Sequence, residues 1–127
     1  MSDFDIPSAH ATVTVTLDCS DPDSLARFWC EALGYQEIAR ADQFVVLGPG
    51  PGLMNAKFVL QNVPEPKPGK NRMHLDLWVG DIDAEAERLE AIGAKRLQDK
   101  PLEEHGFLWH QMADPEGNEF CIGRMPA

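Results

Sequence analysis

Between Ala11 and Cys19 the chain alternates strictly: Val13, Val15, Leu17 and Cys19 fall on one side, and Thr12, Thr14, Thr16 and Asp18 on the other. Such a period-two pattern predicts a strand with an apolar face and a polar, hydroxyl-rich one. Asp21-Pro22 comes next, an N-cap acceptor followed by a residue whose missing N–H costs nothing at the first helical position. Leu25, Phe28, Trp29, Ala32 and Leu33 then recur at helical spacing, and Gly34 suits a left-handed stop. The helix is expected to lay that stripe on the apolar face of the strand. Tyr35–Arg40 and Gln43–Leu47 read as a hairpin about Ala41-Asp42, and Ala56–Val63 as a further strand after the Gly/Pro loop at 48–52.

The chain then repeats itself. Asp21-x-Asp23-x-x-Ala26 returns as Asp81-x-Asp83-x-x-Ala86, again between a strand pattern (Met73–Val79) and a helical stripe (Ile82, Ala86, Leu89, Ile92) that ends at Gly93. Ala94–Gln98, Phe107–Ala113 and Glu119–Gly123 complete the second copy, the last two joined by an Asp114-Pro-Glu-Gly-Asn118 turn. The predicted fold is α+β: two tandem βαβββ modules forming a curved eight-stranded mixed sheet around a cleft, with two helices outside. Residues 1–10 read as a tail, and 1–127 as a single domain. Module one covers about 11–63, a proline-rich connection 64–71, and module two about 72–125.

Composition narrows the partners. A net charge of −10, from 21 acidic and 11 basic residues, repels phosphate backbones and anionic membrane surfaces, which disfavours nucleic-acid and membrane binding. It tolerates a cationic ligand. Cys19, Cys30 and Cys121 share no CxxC spacing and suggest neither a disulfide framework nor a zinc knuckle. The first residues are acidic and polar rather than basic and then apolar, so the expected location is cytoplasmic.

Candidate chemistry gathers on the strand that opens the second copy. Arg72, His74, Asp76 and Trp78 share one face, opposite Met73, Leu75, Leu77 and Val79. In a cleft these would act as an anion or carbonyl clamp (Arg72), a proton carrier (His74) with an orienting carboxylate (Asp76), and an apolar wall (Trp78). A buried His–Asp pair, a surface arginine and a packing tryptophan would explain the same residues without a ligand. Trp109 alternates with Phe107, Gln111 and Ala113 against Leu108, His110 and Met112, and either set could face the cleft.

The stretches Asn71–Asp81 and Met112–Ile122, with Leu17–Gly34, resemble the vicinal oxygen chelate superfamily, which includes glyoxalases, extradiol dioxygenases and fosfomycin- and bleomycin-resistance proteins. The likeness is greatest to glyoxalase-like proteins and spans about residues 11–125. Metal-dependent members place ligands on the first and last strands of each half, and the resemblance maps those positions to Thr14, Gln61, His74 and Cys121. Threonine is a poor donor for a divalent ion, so the expectation is a site without the standard metal quartet and without a cofactor. The resemblance implies a homodimer that binds a small organic molecule, with Thr14, Gln61 and Cys121 as ligand contacts beside Arg72, Trp78 and Trp109, which the strand faces suggest. Its alternative is a lyase or isomerase acting on a small carbonyl compound through a divalent metal or through His74 and Asp76.

Overall fold

The computed structural model describes residues 14–49 and 57–125. The predicted tail, the start of the first strand at 11–13, most of the Gly/Pro loop and Ala56 lie outside the described residues. The chain divides into two compact units, Met1–Pro66 and Lys67–Ala127, with the boundary inside the predicted connection.

The first unit runs β1 (Val15–Cys19), α1 (Pro22–Leu33), β2 (Gln36–Ala41), β3 (Phe44–Gly48) and β4 (Phe58–Asn62). Its sheet has the order β1-β4-β3-β2, with β1 parallel to β4 and the other pairs antiparallel. Asp21 caps α1 by accepting from Ser24 N–H at 3.2 Å, and Gly34 stops it at φ 70°. Leu25, Ala26, Phe28, Trp29 and Ala32 are buried, with Trp29 packed edge-on to Phe28 and tilted against Phe58.

The second unit repeats the order with one added strand, β7: β5 (Leu75–Trp78), α2 (Ile82–Ala91), β6 (Lys95–Arg96), β7 (Leu102–Glu104), β8 (Phe107–Ala113) and β9 (Glu119–Arg124). β5 runs parallel to β9, β9 pairs with β8, and β8 with β6 and β7. Asp81 caps α2 through Asp83 and Ala84 N–H groups. Asp114 and Asn118 form a buried turn in which one carboxylate accepts from the Glu116 and Asn118 backbone and from the Asn118 amide. Its Pro115 packs beside Gly93 at the end of α2, where a Cβ would stand 3.3 Å from Pro115 Cγ.

Two features differ from the sequence expectation. The described residues hold nine strands, because the segment expected as loop between β6 and β8 contains β7, hairpinned to β8 through His105 (φ 54°) and Gly106 (φ 82°); two successive positive φ values define a turn whose twist matches the paired strands. The helices also pack elsewhere: α1 lies over β3, β4 and β2, and α2 over β8, β9 and β6. The strand before each helix sits at the end of its sheet, because a parallel partner must be reached by a crossover, and that crossover carries the helix across the middle strands.

Candidate functional site

Strand register builds the site. On β5 and the residue before it, alternation turns His74, Asp76 and Trp78 to one face of the second unit's sheet. Asp76 lies beside Cys121 of β9, and Trp78 beside Gly123. One strand further, Gln111 of β8 lies beside Cys121, and Trp109 beside Gly123. The face is therefore a lattice of rows: Asp76–Cys121–Gln111, with His74 at its edge, and Trp78–Gly123–Trp109. Phe107, opposite Glu104 of β7, adds a third.

This face bounds a pocket of about 590 Å³, its rim completed by His105 and Met125. That volume suits a small organic ligand. One end is polar, the other aromatic. Trp78 is half-exposed, and its ring is tilted against Phe107 with centroids 5.9 Å apart. Gly123 makes this possible, since a side-chain carbon there would stand 2.9 Å from Trp78 Cζ3 and 3.2 Å from Cε3. The indole occupies the space of the absent side chain.

At the polar end His74 Nδ1 stands 3.2 Å from Asp76 Oδ1, both side chains being partly exposed. Burial pushes the Cys121 thiol up to about 11, helped by the charge of Asp76 and a hydrogen bond to it, so the sulfur is a protonated thiol near neutral pH. Behind this end, Glu119 pairs with Lys67 at 2.7 Å and accepts from Asn71 N–H at 2.9 Å, fixing the approach to β5.

Of the residues singled out from sequence, His74, Asp76, Trp78, Trp109 and Cys121 line this pocket. Arg72 stands on an exposed bend before β5 and is not among the lining residues. Thr14 and Gln61 belong to the first unit, Thr14 exposed just before β1 and Gln61 half-buried on β4. The register also revises the assignment of Gln61. With Asp21 matched to Asp81, Thr16 corresponds to Asp76; Thr16 pairs with Val59, as Asp76 pairs with Cys121. The first-half counterpart of Cys121 is thus Val59, and Gln61 corresponds to Gly123.

Trp109 faces the pocket together with Phe107 and Gln111, whereas His110 and Met112 are buried on the opposite face, beneath α2. Sequence reading missed Glu104, His105, Phe107, Gln111, Gly123 and Met125. Phe107 had a signal, two residues from Trp109 on the same face; Gly123 emerges only once β5 and β9 are paired.

Two sheets of mixed strands, each with one helix and a βαβββ order to which the second adds the short strand β7, define an α+β fold of two tandem modules. The glyoxalase-like domain family matches residues 14–123, and the chain belongs to that family, within the vicinal oxygen chelate superfamily. No curated protein has a matching sequence. Solved structures show the fold. A glyoxalase/bleomycin resistance protein/dioxygenase family enzyme from Burkholderia phytofirmans is 21% identical with TM-score 0.72, covering 87% of this chain and 95% of that one. A glyoxalase-related enzyme from Fulvimarina pelagi is 21% identical with TM-score 0.71, over 92% and 88% of the chains. TioX from Micromonospora sp. is 20% identical with TM-score 0.64, over 91% and 98%.

The family implies a divalent metal in some members, and the residues present can be tested against it. Thr14 offers a neutral hydroxyl, Val59 has no donor, and Cys121 offers sulfur where the family position holds a glutamate. This does not fit a quartet of hard oxygen and imidazole donors.

Proposed function

We propose that the protein binds a small, planar organic molecule in the second unit's pocket, with the ligand's ring system on Trp78 and its polar group toward His74, Asp76 and Cys121. The observation that carries this reading is the Trp78–Gly123–Trp109 row. An indole half-exposed over a glycine, with Phe107 at its edge, is a stacking platform rather than core filling, because buried packing would have covered it. Asp76 and Glu104 on the same walls, with a net charge of −10, favour a neutral or cationic ligand over an anion. Arg72, on the bend before β5, remains a candidate contact in this reading.

The test is a screen of planar heteroaromatic compounds by thermal shift, followed by calorimetry on hits. A cognate compound at about a hundred times its Kd stabilises the fold by about 2.7 kcal/mol. Trp78→Ala should abolish the shift while leaving the unliganded Tm nearly unchanged, because the ring is half-exposed. A shift that survives Trp78→Ala would place the ligand elsewhere.

The His74–Asp76 contact favours a second reading, acid–base work on a small carbonyl compound. In that case His74→Ala abolishes turnover while binding persists. The same proposal takes 1–127 as one domain in a cytoplasmic homodimer. Its expected signs are a single cooperative unfolding transition and a dimer mass by sedimentation. No helix among the described residues is long and apolar enough to cross a membrane.

A further inference from the structure

Resting on the stacking reading above, we infer that the pocket also selects the edges of its ligand: a planar heterocycle with an N–H donor on one edge, met by Asp76, and a carbonyl acceptor on the opposite edge, met by Gln111. Gln98, which does not line the pocket, is the positioning residue that gives Gln111 this role.

Gln111 is half-buried and lines the pocket from β8. Its side-chain carbonyl accepts from Gln98 Nε2 at 2.5 Å. The pair is held in register by a backbone bond beside it, from Leu97 N–H to the Gln111 main-chain oxygen at 2.9 Å. A primary amide has one acceptor oxygen and one doubly donating nitrogen, so engaging the oxygen decides which end is left for a ligand. Gln111 Nε2 has no protein partner among the described residues. The side chain therefore reads an acceptor.

At the other end of the row the chemistry is opposite. Asp76 stands 3.2 Å from His74 Nδ1 and takes a hydrogen bond from the Cys121 thiol. A carboxylate has about four lone-pair sites, which leaves room for a further N–H. With its hydrogen turned to Asp76, Cys121 offers the middle of the row a sulfur surface rather than a donor.

The spacing selects the ring. From Asp76 through Cys121 to Gln111 the row crosses two strand spacings of about 4.8 Å each, and side chains stand roughly perpendicular to a sheet. Two hydrogen bonds of about 2.9 Å take up most of that width and leave about 4 Å, which is close to the separation of a ring nitrogen from a carbonyl oxygen across a six-membered ring. In a fused bicycle of this kind the donor–acceptor axis is perpendicular to the long axis, as the row is to the strands. The second ring then runs along the strands toward the Trp78–Gly123–Trp109 row, two residues or about 6.7 Å further on.

Full-length protein is titrated by calorimetry with three neutral planar probes. They are 4-quinolone, which carries both edges; chromone, which keeps the carbonyl but has a ring oxygen in place of the N–H; and indole, which has an N–H and no carbonyl. The quinolone should bind about two- to tenfold more tightly than either single-edge probe, the value of one neutral hydrogen bond. Asp76→Ala should erase its advantage over chromone, and Gln111→Leu its advantage over indole. Gln98 is exposed, so its variants report on amide orientation rather than folding. In Gln98→Glu the carboxylate can only accept, draws the Gln111 amide nitrogen to itself and leaves the carbonyl for the ligand; chromone should weaken relative to indole by about two- to tenfold. Gln98→Lys still donates and should keep the original preference, whereas a merely structural Gln98 would move both probes alike. The inference is overturned by a quinolone no tighter than the single-edge probes, by a chromone-to-indole ratio unchanged in Gln98→Glu, or by the same fall in Gln98→Lys. If other planar compounds bind in a Trp78-dependent way while these three do not, the edge pattern is wrong and the stacking platform stands; binding that survives Trp78→Ala sinks the platform and this inference with it.

Discussion

The two halves share a lattice and differ in what they hang on it. Where the second half has Asp76, Trp78, Cys121 and Gly123, the first has Thr16, Asp18, Val59 and Gln61 in the same pairings. Phe44 pairs with Gln61 as Trp109 pairs with Gly123, and Val45 with Leu60 as His110 with Ile122. One sheet face therefore carries hydroxyl, carboxylate, amide and aliphatic groups with a single phenyl ring, and the other carries an imidazole, a thiol and two indoles. The backbone is common to both halves, so the pocket chemistry comes from substitution at matched positions. Even Asp23 and Asp83 diverge, the former pairing with Arg40 at 2.7 Å and the latter with His110 at 2.9 Å.

The sharpest way to break the comparison is in the cores. Trp29 on α1 and Leu89 on α2 occupy matching places, and both are fully buried. Trp29→Ala should cost about 3–5 kcal/mol and Leu89→Ala about 2–5 kcal/mol, measured by urea unfolding. Exchanging them shows how far the halves have diverged. Leu89→Trp should itself cost about 1–3 kcal/mol, because a core closed around leucine cannot admit an indole without displacing its neighbours. A Trp29→Ala cost below about 1 kcal/mol would mean that the stripe on α1 does not hold the first unit together.

Most of the architecture was legible in the sequence because it rests on local signals: Asp21-Pro22 and Asp81 as caps, Gly34 and Gly93 as stops, and alternation in β1 and β5. The Asp114–Asn118 turn was legible for the same reason. β7 was not, since three residues with two glutamates (Leu102–Glu104) carry no alternation long enough to register. The helix contacts were misjudged because nearness in sequence stood in for nearness in space, and a parallel crossover reverses that relation. The site was half legible. Alternation put His74, Asp76 and Trp78 on one face, but Cys121 and Gly123 join them only through pairing across β9, and the face of Trp109 depends on which side α2 covers. Gln61 was only estimated, since the first half lacks the turn from which Cys121 is counted, and pairing of β1 with β4 puts Val59 in the matching place.

A smaller effect sharpens the contrast at the mouth of β9, where Glu119 stands at the place Lys57 holds in the first half. Burial alone would raise the Glu119 carboxyl, but the Lys67 ammonium and the Asn71 N–H outweigh it and hold it below the usual carboxylate range. Because the folded value is depressed, the stabilisation is present above the unfolded value of about 4.3 and lost as pH falls through the folded one. Glu119→Gln should therefore cost about 1–2 kcal/mol at neutral pH. It should also flatten the acid limb of a stability–pH curve measured by denaturant midpoint. An unchanged acid limb would show that the bridge contributes nothing that survives solvent screening.

The smallest effect is expected at the most conspicuous substitution. His110 and Val45 are each 1% exposed at matched core positions. The imidazole gives its Nε2 a partner in Asp83, whose side chain is 73% exposed, while Nδ1 is buried with no hydrogen-bond partner. His110→Val removes one bond worth about 1 kcal/mol and, with it, an orphaned polar atom whose burial costs about 1–3 kcal/mol. The smaller side chain gives up part of the packing, so the terms offset to within about 1 kcal/mol. Asp83→Asn should likewise change little. If His110→Val instead lost more than about 2 kcal/mol in urea unfolding while Asp83→Asn lost nothing, the imidazole would be held by packing under α2 rather than by its carboxylate. The second half would then have built its core around a polar ring where the first uses an aliphatic one, extending the divergence from the pocket face to the core.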